Sequence, residues 1–437
     1  MRIGWVTPLA KTSSIGSGGL RICDALAERG HLVHIIRSEV RDVLDTPHQE
    51  TPHRVLTWRD VPLKEAKQSY DAVFVNIGDN FNFHAGIFEY LKEPFAIGIF
   101  HDFYLFNLFN GWRHSLGLTA NQAVREIVTT YGPASSEAAL RAIRGEMDIT
   151  ELSQAVPMTE WLAKRCAGAI AHAQFYVPRL LSTCAGVVEV LNLPFARRDI
   201  PPAVARDGRL TVTTVGVVNP NKCVDAVIDA IGQSAALREK VRYVVAGAAD
   251  DAMRAALEGK ARGLGVDFQL LGRIEDDRLM QVLDEADIMC CLRRPVLEGA
   301  SGSAIEAMLS GRATIVADAG FYGELPDRYV AKVPGDFAAS DLARAIEGLA
   351  NDPERRLRMG GEARAWALET FSGDAYAVKL EDVVRDQTRL EPYLELSDRV
   401  AKRLARLGFG GSSKIIGRFA VAIDGMRQPD PQSPHRV

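Results

Sequence analysis

Short apolar runs alternate with helix-forming stretches along most of this chain, and the alternation stops once and then restarts. In the first half the apolar runs are Met1–Pro8, His31–Arg37, Ala72–Asn76, Phe95–Phe100 and Gly168–His172, with a helix predicted from about Leu20 to Arg29 and closed by Gly30. The stretch Leu193–Asp207 interrupts the pattern with Pro194, Pro201 and Pro202, a linker signal. Beyond it, runs at Leu210–Val218, Arg242–Ala246, Asp267–Leu271, Ile288–Leu292, Ala313–Ala317 and Tyr329–Lys332 alternate with helices predicted at Cys223–Gly232, Ala249–Arg262, Asp276–Asp284, Ser303–Ser310 and Ala339–Asn351. Strand–helix–strand repeats require a parallel sheet with right-handed crossovers. Two such blocks predict an α/β protein of two doubly wound, Rossmann-like domains facing across a cleft, and 437 residues are too many for one ordinary core. The expected boundaries are 1–195, a linker at 196–208, a second domain at 209–372, C-terminal helices at 373–427 and a disordered tail at 428–437. Helix formers across 117–165 predict an extra helical layer over the first sheet.

A net charge of −4 gives no general attraction to nucleic acid. The six cysteines show neither CxxC nor His/Cys ligand spacing, so reduced, mostly buried thiols are expected. His84, His101 and His114 are dispersed without acidic partners one turn on, so no metal site is expected. The chain opens directly on a strand, and no apolar run reaches the roughly 18–20 residues that span a bilayer. A cytoplasmic protein is expected, at the inner face of the membrane if the basic amphipathic stretch 398–419 lies on anionic lipid. That stretch can equally pack on the protein with its charges in water.

In open parallel sheets ligands bind beyond the carboxyl ends of the strands. His101 and Asp102, a histidine with a carboxylate neighbour and candidate catalytic residues, directly follow an apolar run there, and Lys11–Gly19 reads as a glycine-rich loop after the first run. Gly16-x-Gly18 begins a dinucleotide fingerprint, but Arg21 holds the third glycine's place, which argues against a nicotinamide site. The Gly18-Gly19 pair either turns the chain or contacts a ligand. In the second half, Gly216–Lys222 is the first strand-to-helix turn, and Lys222 is either a solvated helix-start lysine or a mobile charge for a phosphate. Arg273 is either a solvated loop residue or a second partner for the same ligand.

The sharpest stretch is PVLEGASGSAIEAMLSG, residues 295–311. It predicts a small-residue loop carrying Glu298, Gly299, Ala300, Ser301, Gly302 and Ser303, and a helix opening near Ser303 with Glu306 in its first turn. Free N–H groups at such a start favour a phosphate. Two carboxylates flanking an anion site make sense when each accepts hydroxyl hydrogen bonds from sugars on either side of a diphosphate, which describes a nucleotide sugar.

Gly216…Lys222, Leu271-Gly272-Arg273, Ala286-Asp287 and Glu298-x7-Glu306-Ala307-Met308-x-x-Gly311 together resemble the retaining glycosyltransferases of family 4 (glycosyl transferases group 1), strongly over about 209–372 and more weakly before it. The resemblance implies the GT-B fold, with a C-terminal helix (candidate Gly373–Arg389) crossing back to the first domain. It implies transfer of a hexose from a UDP-, GDP- or ADP-sugar to a hydroxyl of a glycan or lipid-linked acceptor, with retention, without cofactor or divalent metal, in surface polysaccharide synthesis. Glu298 would bind the donor sugar, Glu306 the ribose, backbone N–H groups of 299–303 and Lys222 the diphosphate, and His101 would contact donor or acceptor. Val217 stands where the family often has an arginine, and GASGS replaces a commoner GFGL. The alternatives are a nucleotide-sugar epimerase of the same fold and a non-catalytic nucleotide-sugar-binding protein. A glycoside hydrolase would need its two acids facing each other across the scissile bond, without an anion site.

Overall fold

The computed structural model describes residues 1–196, 200, 201, 203 and 208–407. The expected tail at 428–437 and residues 408–419 of the basic stretch lie outside the described residues. Seven parallel strands form the first sheet: β1 (Arg2–Thr7), β2 (Leu32–Arg37), β3 (Arg54–Thr57), β4 (Ala72–Ile77), β5 (Ile97–Phe100), β6 (Gly168–Ala171) and β7 (Val188–Val190), in the order β3-β2-β1-β4-β5-β6-β7. Six more form the second: β8 (Leu210–Val215), β9 (Val241–Ala246), β10 (Phe268–Gly272), β11 (Ile288–Cys291), β12 (Ala313–Asp318) and β13 (Ala331–Pro334), ordered β10-β9-β8-β11-β12-β13. β4 and β8 are buried at every residue, as central strands covered by helices on both faces must be. This is the pair of parallel-sheet domains that the alternation predicts. The strands absent from the sequence reading, β3 and β7, are edge strands of four and three residues.

The predicted glycine-rich loop is not a loop. The first helix runs Ser14–Glu28, and the Ser13 side chain caps it by accepting the Gly16 N–H. Gly18 and Gly19 are therefore helical. A glycine inside a helix costs about 1 kcal/mol relative to alanine. Here a Cβ on Gly16 would stand 2.4 Å from the Pro8 carbonyl oxygen, and one on Gly19 2.8 Å from Trp5 Nε1, so the glycines let the helix lie close on β1. A Cβ on Gly18 would meet nothing within 4 Å.

Helices Ala120–Tyr131, Ser136–Arg144, Ile149–Ala155 and Thr159–Ala163 make the extra layer. The last helix is a single piece, Gly373–Arg406, continuing through Pro392 and far beyond the predicted Arg389. Its Tyr376, Ala377, Leu380 and Val383 share an apolar cluster with Ile3, Trp5, Ile22 and Leu26 of the first domain. Glu381 receives Arg29 at 2.8 Å through both carboxylate oxygens and His31 at 2.8 Å, which ties this helix to the first sheet's side. All six cysteines are free and buried. Among the described residues no helix is long and apolar enough to cross a membrane.

Candidate functional site

The two domains meet where strand ends face each other. The segment after β5 and the loop after β11 pair as backbone: Asp102 and Glu298 form an antiparallel bridge. Gly299 N–H donates to the His101 carbonyl at 2.8 Å, and the Phe103 and Tyr104 N–H groups both donate to the Leu297 carbonyl at 3.0 Å. A Cβ on Gly299 would stand 2.6 Å from Tyr176 Oη and 2.9 Å from the Phe100 carbonyl oxygen, so only glycine allows this approach.

On the first-domain side, the Asn76 amide is oriented by donating from Nδ2 to the Val6 carbonyl at 3.0 Å. Its Oδ1 therefore accepts from His101, at 2.8 Å, and the His101 proton sits on Nε2. Burial, with the neighbouring His172 and His84 adding to it, holds His101 well below the ordinary imidazole value. The ring is neutral and Nδ1 keeps a lone pair. His172 lies 4.9 Å away between ring centroids and donates from Nδ1 to the Leu191 carbonyl at 2.9 Å. His84 donates to the Asn76 carbonyl at 3.0 Å. Burial pulls His172 and His84 each down to about 4. His84 is thus structural, and His114 ends an exposed turn of the helix Phe106–Ser115.

Asp102 is not the partner that orients His101. Its Oδ2 accepts the Asp79 N–H at 2.8 Å, and burial, reinforced by the charge of Glu298, pushes it up to about 7. Asp79 in turn caps the helix Phe106–Ser115 from outside, accepting Leu108 N–H at 2.9 Å and Asn107 Nδ2 at 2.7 Å.

On the second-domain side, Glu298 Oε1 forms an ion pair with Arg293 Nε at 2.7 Å and accepts from the Tyr322 hydroxyl at 2.7 Å. Neither partner was singled out from the sequence. The doublet Arg293-Arg294 directly after an apolar strand was the signal available for the first. Ser301 caps the helix Gly302–Leu309 through the Ala304 N–H at 3.2 Å. Glu306 is buried and falls in the second turn, not the first, because the helix opens at Gly302. Of the N–H groups of 299–303 expected to face a diphosphate, Gly299's goes to the His101 carbonyl. Those of Gly302 and Ser303 stand at the helix start, where no intrahelical acceptor precedes them. Ala300 is buried, and Gly302 packs towards Phe195.

Lys222 closes the short helical turn Pro220–Lys222 before the helix Val224–Gln233, rather than opening that helix. It is buried and donates from Nζ to the Val215 carbonyl at 2.6 Å, lying across Gly216. Burial, then the charge of Arg293, brings it down to about 7. Arg273 is exposed at the end of β10. Glu324 accepts the Gln174 and Phe175 N–H groups at 2.8 and 2.7 Å, so it caps a first-domain turn across the junction. The site as built offers a neutral imidazole, a held carboxylate, the buried Lys222, the half-buried Arg293 and a helix start, all beyond strand ends.

Residues 196–366 match the family described as glycosyl transferases group 1. The matched stretch spans the second domain. That domain holds Lys222, Arg293, Glu298 and Glu306, whereas His101 comes from outside it. Among curated proteins no sequence matches the chain. Solved structures resemble the whole arrangement. Sucrose-phosphate synthase from Thermosynechococcus elongatus aligns with a TM-score of 0.59 at 15% identity, over 88% of this chain and 98% of that one. HepE from Anabaena, in complex with UDP and glucose, aligns with a TM-score of 0.59 at 16% identity, over 88% and 99%. WaaG, a glycosyltransferase involved in lipopolysaccharide biosynthesis, aligns with a TM-score of 0.54 at 14% identity, over 88% and 99%. The fold is therefore GT-B.

Proposed function

We propose that this group 1 glycosyltransferase moves a hexose from a nucleoside diphosphate sugar to a hydroxyl of a glycan or lipid-linked acceptor, with retention of anomeric configuration. The observation that carries the reading is the placement of Glu298, fixed by Arg293 and Tyr322 and bridged to Asp102 beside His101. Both domains then contribute to one reaction centre. Glu298 accepts hydroxyl hydrogen bonds from the donor sugar, and Glu306 those of the ribose. Lys222 and the amides of Gly302 and Ser303 meet the diphosphate, and no divalent metal or cofactor is assigned a part. His101 presents Nδ1 towards donor or acceptor. In front-face attack the acceptor oxygen bonds to the anomeric carbon as its bond to the diphosphate breaks, and the acceptor proton passes to the leaving diphosphate oxygen.

HepE, crystallised with UDP-glucose, makes UDP-sugars the first donors to try, with GDP- and ADP-sugars beside them. We place the reaction at the cytoplasmic face of the membrane, in surface polysaccharide synthesis. Supporting that, the exposed Arg399, Lys402, Arg403 and Arg406 lie on one helix end. Acceptor-dependent release of nucleoside diphosphate from this donor panel tests the transfer. Sugar interconversion without acceptor would replace it with an epimerase, and donor binding without turnover would leave a binding protein. Liposome flotation of the full chain against one ending at Gln387 tests the membrane contact.

A further inference from the structure

Arg293 does more in this structure than neutralise Glu298. Its Nε stands 2.7 Å from Glu298 Oε1 as an ion pair and its Nη1 donates to the Leu292 carbonyl at 2.7 Å, while Nη2 has no hydrogen-bond partner among the described residues. The side chain is 11% exposed. Three links bring it to Lys222 and to the helix start. β8 and β11 are adjacent, so Lys222 and Arg293 leave neighbouring strand ends. The Arg294 N–H donates to the Asn221 carbonyl at 2.9 Å, which binds the Arg293 segment to the Pro220–Lys222 turn. Cys291 Sγ lies 3.5 Å from the Ser303 carbonyl, which binds the same strand end to the helix Gly302–Leu309. Lys222 is buried without a carboxylate partner among the described residues, and its hydrogen bond to the Val215 carbonyl leaves its charge unanswered. Buried charges are ordinarily paired.

We propose that Arg293 is the second cation of the donor site, holding Glu298 through Nε while turning Nη2, beside Lys222 Nζ, to the diphosphate. One planar guanidinium can serve a carboxylate and a phosphate at once, whereas a lysine ammonium is a single point charge. Arg293 therefore couples the group that reads the sugar to the group that reads the phosphates. The assignment rests on the glycosyltransferase reading above.

Calorimetric titration of the full chain with UDP, GDP and ADP, and with the corresponding nucleosides, tests it alongside transfer assays. The Arg293→Gln variant is expected to bind the preferred nucleoside diphosphate at least tenfold more weakly, with nucleoside binding unchanged within twofold. Arg293→Lys should keep diphosphate binding within about threefold but lose at least tenfold in transfer. Glu298→Gln, which removes the competing carboxylate, should bind the bare diphosphate as tightly as wild type or more tightly. An Arg293→Gln protein with wild-type diphosphate affinity would overturn the assignment and leave Arg293 as a positioning residue for Glu298. If Arg293→Gln does not fold, weaker diphosphate binding by Glu298→Gln would overturn it instead. A wild-type protein that binds none of the three diphosphates would overturn the glycosyltransferase reading itself.

Discussion

Asp102 and Glu298, one from each domain, are backbone bridge partners, so two acidic side chains meet at the junction that assembles the site. Burial and the charge of Glu298 together push Asp102 up to about 7, against 3.8 for a free aspartate. The sign follows. Between about pH 4 and pH 7 the folded chain holds a proton on Asp102 that the unfolded chain has released, so stability falls as pH rises through that window. The cost is fully present above pH 7 and absent below about pH 4. Asp102→Asn keeps an oxygen for the Asp79 N–H but cannot ionise. It should melt higher than wild type at pH 8, by at most a few kcal/mol at about 1.4 kcal/mol per pH unit. The difference should close by pH 4, and thermal unfolding at the two pH values reads it.

Gly299 is the contact point of that junction. Gly299→Ala would drive a Cβ to 2.6 Å from Tyr176 Oη and against two backbone oxygens that cannot rotate away. Overpacking of this kind costs about 1–3 kcal/mol. Because Lys222 and the helix start lie within the second domain, transfer should fall at least tenfold while bare nucleoside diphosphate binding stays within threefold. Paired titration and rate measurements separate the two.

Lys222 gives the donor site a pH signature. Burial, then the charge of Arg293, lowers it to about 7, with Cys291 and Glu298 working the other way. An arriving diphosphate favours the ammonium form, so binding above pH 7 should take up a proton, and affinity should fall as pH rises from 7 to 9. Titration in two buffers of different ionisation enthalpy measures that proton. Lys222→Arg should remove the uptake, because arginine stays charged throughout.

Much of this was legible in the chain. The buried strands read as continuous apolar runs because parallel sheets are covered on both faces. Glu298 stood out because it and Glu306 flank a small-residue loop at a helix start, where an anion is favoured. Edge strands as short as Val188–Val190 carry too few residues to show a pattern. Gly16–Gly19 read as a loop by composition, since what makes glycine useful there is the nearness of Pro8 and Trp5, which is set only by the fold. Tyr322 lies 24 positions from Glu298, and their hydrogen bond depends on how β12 stands beside β11. His101 and Asp102 stand out together as candidates because they are neighbours at a strand end, but neighbours in sequence need not be partners in the fold. Adjacent residues at a strand end point to opposite sides, so His101 turned to Asn76 and Asp102 to Asp79.

The central claim is that Glu298 reads the sugar of a nucleotide-sugar donor. Titrating wild type and Glu298→Ala with UDP, GDP and ADP, and with one matched sugar nucleotide of each, tests it most directly. Losing a charge-assisted hydrogen bond costs roughly 1.5–3 kcal/mol, about ten- to a hundredfold. Wild type is predicted to bind one sugar nucleotide more tightly than its bare diphosphate, and Glu298→Ala to lose that advantage while still binding the diphosphate. A Glu298→Ala protein that prefers the sugar nucleotide as strongly as wild type does would contradict the account.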